Sequence, residues 1–158
     1  MTVVAGRGSA ELAALAVRLK VAGDKGLRVE LLRGLKKGAD PLVKAVAEAA
    51  RAQLPKRGAH NSVNSGLNEQ VAGQKVKVQV RTGARTAGVR LYTTAPDTSQ
   101  TDAGYVRHPV FGNRKVWVRQ EIPSARGWWS VTLAHGAPDV QPELTAAMER
   151  VAAQIQVL

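Results

Sequence analysis

The stretch YVRHPVFGNRKVWVRQEIPSARGWW, residues 105–129, holds all three tryptophans of the chain, its single phenylalanine and one of its two tyrosines. Only 4% of the 158 residues are aromatic, so this clustering marks one place where large side chains are set together. Lys115 to Arg119 alternates, which predicts a strand with Trp117 on one face and Val116 and Val118 on the other. His108 precedes Pro109, and a residue before proline is pushed to an extended conformation. His108 therefore marks a turn into Val110, and Gly112 with Asn113 makes a tight turn that plants Phe111 in the core. Pro123 to Gly127 breaks the strand. Trp128 and Trp129 follow in what reads as an extended segment, where neighbouring side chains point to opposite faces. One tryptophan fills the core and the other faces out, as an anchor for a protein contact.

Upstream, Ser9 can cap a short helix to about Val21, with Leu12, Leu15, Ala16 and Leu19 at helical spacing; residues 1–8 read as frayed. Asp24 is the next cap. Leu27, Leu31, Leu35, Leu42, Val46 and Ala49 then hold one apolar register straight through Pro41. One long helix, about 24–53 and kinked near Gly38–Pro41, fits this better than two helices. Its outer face carries a basic stripe in which Arg33, Lys36 and Lys37 are the candidates for facing DNA or an acidic neighbour. Leu54 and Pro55 end the helix, and residues 55–70 read as a long turn-rich loop. From Lys75 to Arg81 valines alternate with polar residues as in a half-buried strand, and 88–92 returns as a second. Residues 94–104 form another polar loop. Downstream, Leu144, Ala147, Met148, Val151 and Ile155 predict an amphipathic C-terminal helix from about Pro142. The order of elements is that of a single α+β domain over 1–158: a small antiparallel sheet packed against a long kinked N-terminal helix and the C-terminal helix.

Charge is the largest compositional departure. The net charge is +11, with 12 Lys/Arg against 5 Asp/Glu in residues 1–60 and 11 against 7 in the remainder. Both halves are basic, so no detachable basic tail accounts for it, and the field favours polyanions, nucleic acid first. The absence of cysteine excludes disulfides, thiolate catalysis and cysteine-ligated metals. No apolar run approaches the ~20 residues that cross a bilayer, and residues 1–8 lack the apolar region of a secretory signal. His60, His108 and His135 fall in three separate loop-like places without metal-ligand spacing. Neither a Gly-x-Ser-x-Gly elbow nor a phosphate-binding glycine loop is present. The expectation is a protein without catalytic, cofactor or metal residues. A free DNA-binding module is the reading that charge alone would suggest, although no recognition helix or stacking platform stands out.

At Arg107 to Arg114, Trp117 and Gly127-Trp128-Trp129, followed by Ala146 to Arg150 in the last helix, the chain resembles the small neck or tail-completion proteins of long-tailed double-stranded DNA phages. The N-terminal half is similar more loosely, through Asp40-Pro41-Leu42 and Leu54-Pro55, so that the likeness spans about residues 10–156. The polar loop Thr94–Gly104 is a departure from the commoner pattern. The resemblance implies an α+β structural protein of the virion, made in the host cytoplasm, without enzymatic activity, cofactor or membrane. It implies a homo-oligomeric ring, a hexamer or dodecamer, at the head–tail junction. Its neighbours would be the portal-side connector or head-closure proteins and the tail terminator or tail tube, with genomic DNA passing non-specifically through the lumen. A tail-terminator ring is the alternative position. His108, Phe111, Trp117, Trp128 and Trp129 are the candidates for the subunit or partner interface.

Overall fold

Leu12, Leu15 and Leu19 are all buried, and they lie on one face of helix α1 (Ser9–Ala22). The spacing thus dictates both the element and its inward side. The structure is a computed structural model that describes residues 3–4, 9–23, 25–56, 66–81, 88–93, 97–110 and 112–156. Asp24, His60 and Phe111 lie outside the described residues.

Helices α2 (Lys25–Gly38) and α3 (Asp40–Gln53) form the long bent helix expected from the sequence. Leu31, Leu35, Ala39, Leu42, Val46 and Ala50 are buried at spacings of three and four, so one apolar face runs through the bend. Pro41 supplies its cause: it has no N–H to give, and its ring crowds the carbonyl one turn earlier. Ala39 takes up the break, its N–H reaching the Lys36 carbonyl at 3.1 Å.

Two segments expected to be loops contain helices. α4 (Leu67–Ala72) begins within 55–70, and α5 (Thr98–Asp102) lies within 94–104. Both are too short and too polar to show an apolar period. Strands β2 (Val76–Arg81) and β3 (Gly88–Thr93) are as expected. Val3 and Val4, expected to be frayed, instead form β1, which pairs antiparallel with Arg90 and Val89. The sheet order is β1-β3-β2. A second sheet is a separate antiparallel pair, β4 (Tyr105–Val110) and β5 (Asn113–Glu121). Only the middle of β5 alternates clearly in the sequence, and β4 is hidden there because Pro109 within it looks like a strand breaker.

The last helix, α6, spans Ser130–Ile155 and starts twelve residues before the expected Pro142. His135 sits on it rather than in a loop. Pro138 and Pro142 both lie inside the helix and are exposed, as is Ala134. The carbonyls that the prolines leave without a helical donor are therefore on its wet side, where water can serve them.

The chain divides into two compact units. One comprises Lys44–Val76 and Thr93–Leu133, and its core holds Val46, Ala50, Leu54, Ile122, Trp128, Trp129 and Leu133. The other comprises Thr2–Val43, Lys77–Tyr92 and Ala134–Leu158. Here α6 crosses α2 at close range: a Cβ at Gly34 would lie 3.0 Å from the Ala147 Cβ, and one at Gly38 3.0 Å from a Leu144 methyl. Two glycines one turn apart give the backbone-level approach that larger residues would prevent.

Candidate functional site

Both members of the Trp128–Trp129 pair are buried, at 1% and 4% exposure, with rings in edge-to-face contact 5.7 Å apart. The expected division into one inward and one outward tryptophan is thus corrected. The segment is not extended: residues 126–129 form a turn that winds directly into α6. The Val131 N–H already reaches the Gly127 carbonyl, at 2.9 Å. Gly127 makes this possible. It adopts a φ of +82°, and a Cβ there would stand 2.6 Å from a Val131 methyl. An L side chain is disfavoured on both counts.

The anchor of this turn is α5, from the segment expected to be a polar loop. Thr101 is 0% exposed, and its hydroxyl accepts the Trp128 indole N–H at 3.1 Å. The Asp102 carboxylate accepts the backbone N–H groups of Trp129 at 2.8 Å and Ser130 at 2.9 Å. It thereby caps α6 from 27 residues away, satisfying donors that a helix start leaves unpaired. The Asp102 carbonyl also takes the Gly127 N–H at 2.8 Å. Ser124 closes the other side, donating from its hydroxyl to the Gln53 carbonyl at the end of α3 at 3.1 Å. The tryptophan pair is a structural keystone and presents no contact face.

Directly continuous with it, the β4–β5 hairpin is the outward feature of the same unit. Every residue of β5 is exposed. Val116, Trp117 and Val118 are exposed large hydrophobics, with Trp117 at 48%. Pairing runs from Tyr105 with Glu121 to Pro109 with Trp117, then shifts so that Val110 faces Asn113. Arg114, Lys115 and Val116 lie in the resulting bulge. The bulge is pinned by the Trp117 indole N–H on the Arg114 carbonyl at 2.8 Å, and by the Lys115 N–H on the Asn113 side chain at 3.0 Å. Gly112, at a φ of +77°, makes the expected tight turn. At the base, the Arg119 guanidinium lies 3.9 Å from the centre of the Tyr105 ring and pairs with Glu121 at 2.6 Å. Arg107, Arg114, Lys115 and Arg119 against Glu121 make the hairpin basic.

Two strands alone are marginal in water, and unpaired strand edges beside exposed apolar side chains are a template for another chain. The hairpin thus combines a two-stranded sheet with a fully exposed β5 and three exposed large apolar side chains. Of the interface candidates, Trp117 stands on it exposed, and His108 is half-buried opposite Val118 with its ring nitrogen 3.3 Å from the Pro109 carbonyl. Arg33, Lys36 and Lys37 are distributed along α2, in the other unit, with Lys36 and Lys37 in its last turn. The residues that sequence reasoning missed are Thr101 and Asp102. Their only signal is a polar pair at the end of a polar run, two residues before Gly104, which carries no pointer to a partner so far along the chain.

Among the described residues, no three histidine, aspartate or glutamate side chains gather as metal ligands would, and no helix is long and apolar enough to cross a membrane. No protein-family model, no curated protein and no solved structure matches the chain.

Proposed function

We propose that this chain is a structural subunit of a ring at the head–tail junction of a long-tailed double-stranded DNA phage, joining the head connector to the tail with DNA in the lumen. The observation that carries the reading is the β4–β5 hairpin, a basic two-stranded arm exposed along all of β5 with Trp117 near its tip. An isolated monomer gains nothing from displaying such an arm, whereas a subunit that must seize a neighbour does. The likeness of residues 107–114, 117 and 127–129 to neck proteins points the same way. Arg33, Lys36 and Lys37 on α2 offer a sequence-independent surface to a polyanion.

Native mass spectrometry of the purified protein, with negative-stain images, tests the reading. A discrete closed oligomer supports it. In the phage, removal of the gene leaves tails that fail to join heads; infectious particles without the chain would sink the proposal. Reversing the charge of Arg33, Lys36 and Lys37 together weakens duplex binding by the assembled ring. It also flattens the salt dependence, the slope of log K against log salt concentration falling in magnitude by about 0.9 for each phosphate no longer neutralised. A tail-terminator ring would use the same arm, and labelling intact virions on the head or tail side of the joint separates the two positions.

A further inference from the structure

Among the described residues, two open grooves on the unit of Thr2–Val43, Lys77–Tyr92 and Ala134–Leu158 have rims that differ in sign. One lies between α1 and α6, about 490 Å³ in volume, with Leu15, Thr145 and Met148 in its lining and Glu11, Glu149 and Arg18 as its charged members. The other, about 310 Å³, has Lys20 and Arg28 as its charged members and no acid. The first volume is in the range that admits a large aromatic group, roughly 300–1,000 Å³ for sites that bury small ligands. The hairpin tip brings an exposed tryptophan between two exposed valines, flanked by Arg114 and Lys115. A basic arm is repelled by the groove of Lys20 and Arg28. It is matched by the groove with the two glutamates.

We infer that the tip of the β4–β5 hairpin of one copy, led by Trp117, docks in the α1–α6 groove of a second copy, an inference that rests on the ring reading above. Trp117 enters the apolar lining formed by Leu15 and Met148, and Arg114 and Lys115 meet Glu11 and Glu149. Arm and groove are different surfaces of the chain, so the contact is head-to-tail. Each copy keeps one arm and one groove free for the next, which yields a closed ring when the rotation closes. A single arm in a single groove is a small contact, below the ~1,000 Å² total of a stable pairwise interface. Closure makes the last contact intramolecular and stabilises the whole. Assembly is therefore steep in concentration, with few open intermediates.

The chain contains no cysteine, so introduced thiols report cleanly. A Lys115→Cys protein is mixed with a Thr145→Cys protein at concentrations up to about 1 mM, the range of weak association. Under oxidation it forms a disulfide-linked mixed dimer, and Lys77→Cys in place of Lys115→Cys does not. Trp117→Ala weakens self-association by roughly 30-fold or more, as loss of an interface anchor does. Glu149→Lys weakens it as well, and mixing with a Lys115→Glu copy restores association. An oligomer that forms normally in Trp117→Ala and Glu149→Lys and gives no 115–145 crosslink overturns the arm-in-groove contact while leaving the ring reading in place. A chain that remains monomeric throughout, with no crosslink, overturns both.

Discussion

Replacing Thr101 by valine removes one hydroxyl and keeps the shape of the side chain. In the folded protein that hydroxyl accepts the Trp128 indole N–H at 3.1 Å, with Thr101 at 0% and Trp128 at 1% exposure. It donates to the Asp97 or Thr98 carbonyl at 3.0 and 3.1 Å. The Asp97 carbonyl keeps the Thr101 backbone N–H at 2.8 Å, so the group left stranded is the indole. A buried donor without a partner costs about 1–3 kcal/mol. For a chain of this length that lowers the melting temperature by about 2–4 °C per kcal/mol. Trp128→Phe also destabilises, through its smaller ring, but it takes the N–H away with it. Thr101→Val should therefore be much cheaper in the Trp128→Phe background, with a coupling of about 1–2 kcal/mol, inside the range seen for contacting residues. Urea unfolding followed by far-ultraviolet circular dichroism on the four proteins of the cycle gives each value. Thr101→Ser, which keeps the hydroxyl, is the control, and loses about 1 kcal/mol or less for its missing methyl. If Thr101→Val changes stability by under about 0.5 kcal/mol, as an uninvolved surface position would, the reasoning is refuted. The same holds if its effect is equal in both backgrounds.

Asp102→Ala removes the cap of α6 and lowers stability by about 1–2 kcal/mol. Asp102→Asn keeps the accepting oxygen and loses only the charge–dipole part, about 0.3–1 kcal/mol; equal losses in denaturant titrations would contradict the capping role. Gly127→Ala destabilises by at least about 1–2 kcal/mol for its left-handed backbone, and Val131→Ala in the same chain recovers only the steric excess. Gly34→Ala, which at an open helix site would stabilise by up to about 1 kcal/mol, instead lowers the melting temperature. Ala147 has no rotamer with which to yield, and overpacking costs about 1–3 kcal/mol. Trp129→Ala loses about 3–5 kcal/mol as a core deletion, whereas Trp117→Ala leaves the denaturation midpoint nearly unchanged while impairing association.

Periodicity alone determined much of this protein. The spacing of Leu12, Leu15, Leu19, Leu31, Leu35, Leu42 and Val46 named both the helices and their buried faces, and the alternation from Val76 to Val80 named a half-buried strand. These signals are local, because each element must hide its own apolar face whatever lies opposite. The tertiary structure decided everything that depended on a distant partner. Pro142 looked like a helix start, yet α6 begins at Ser130, because Asp102 supplies the cap from elsewhere and the prolines sit on the exposed side. Two adjacent tryptophans looked like an inward and an outward pair. Gly127 turns the chain so that both are enclosed, and Thr101 gives the indole its partner, which leaves Trp117 as the exposed tryptophan. Helix α5 was invisible for the same reason: a five-residue helix of polar side chains has no period, and its role rests on hydrogen bonds to Gly127, Trp128, Trp129 and Ser130, far along the chain.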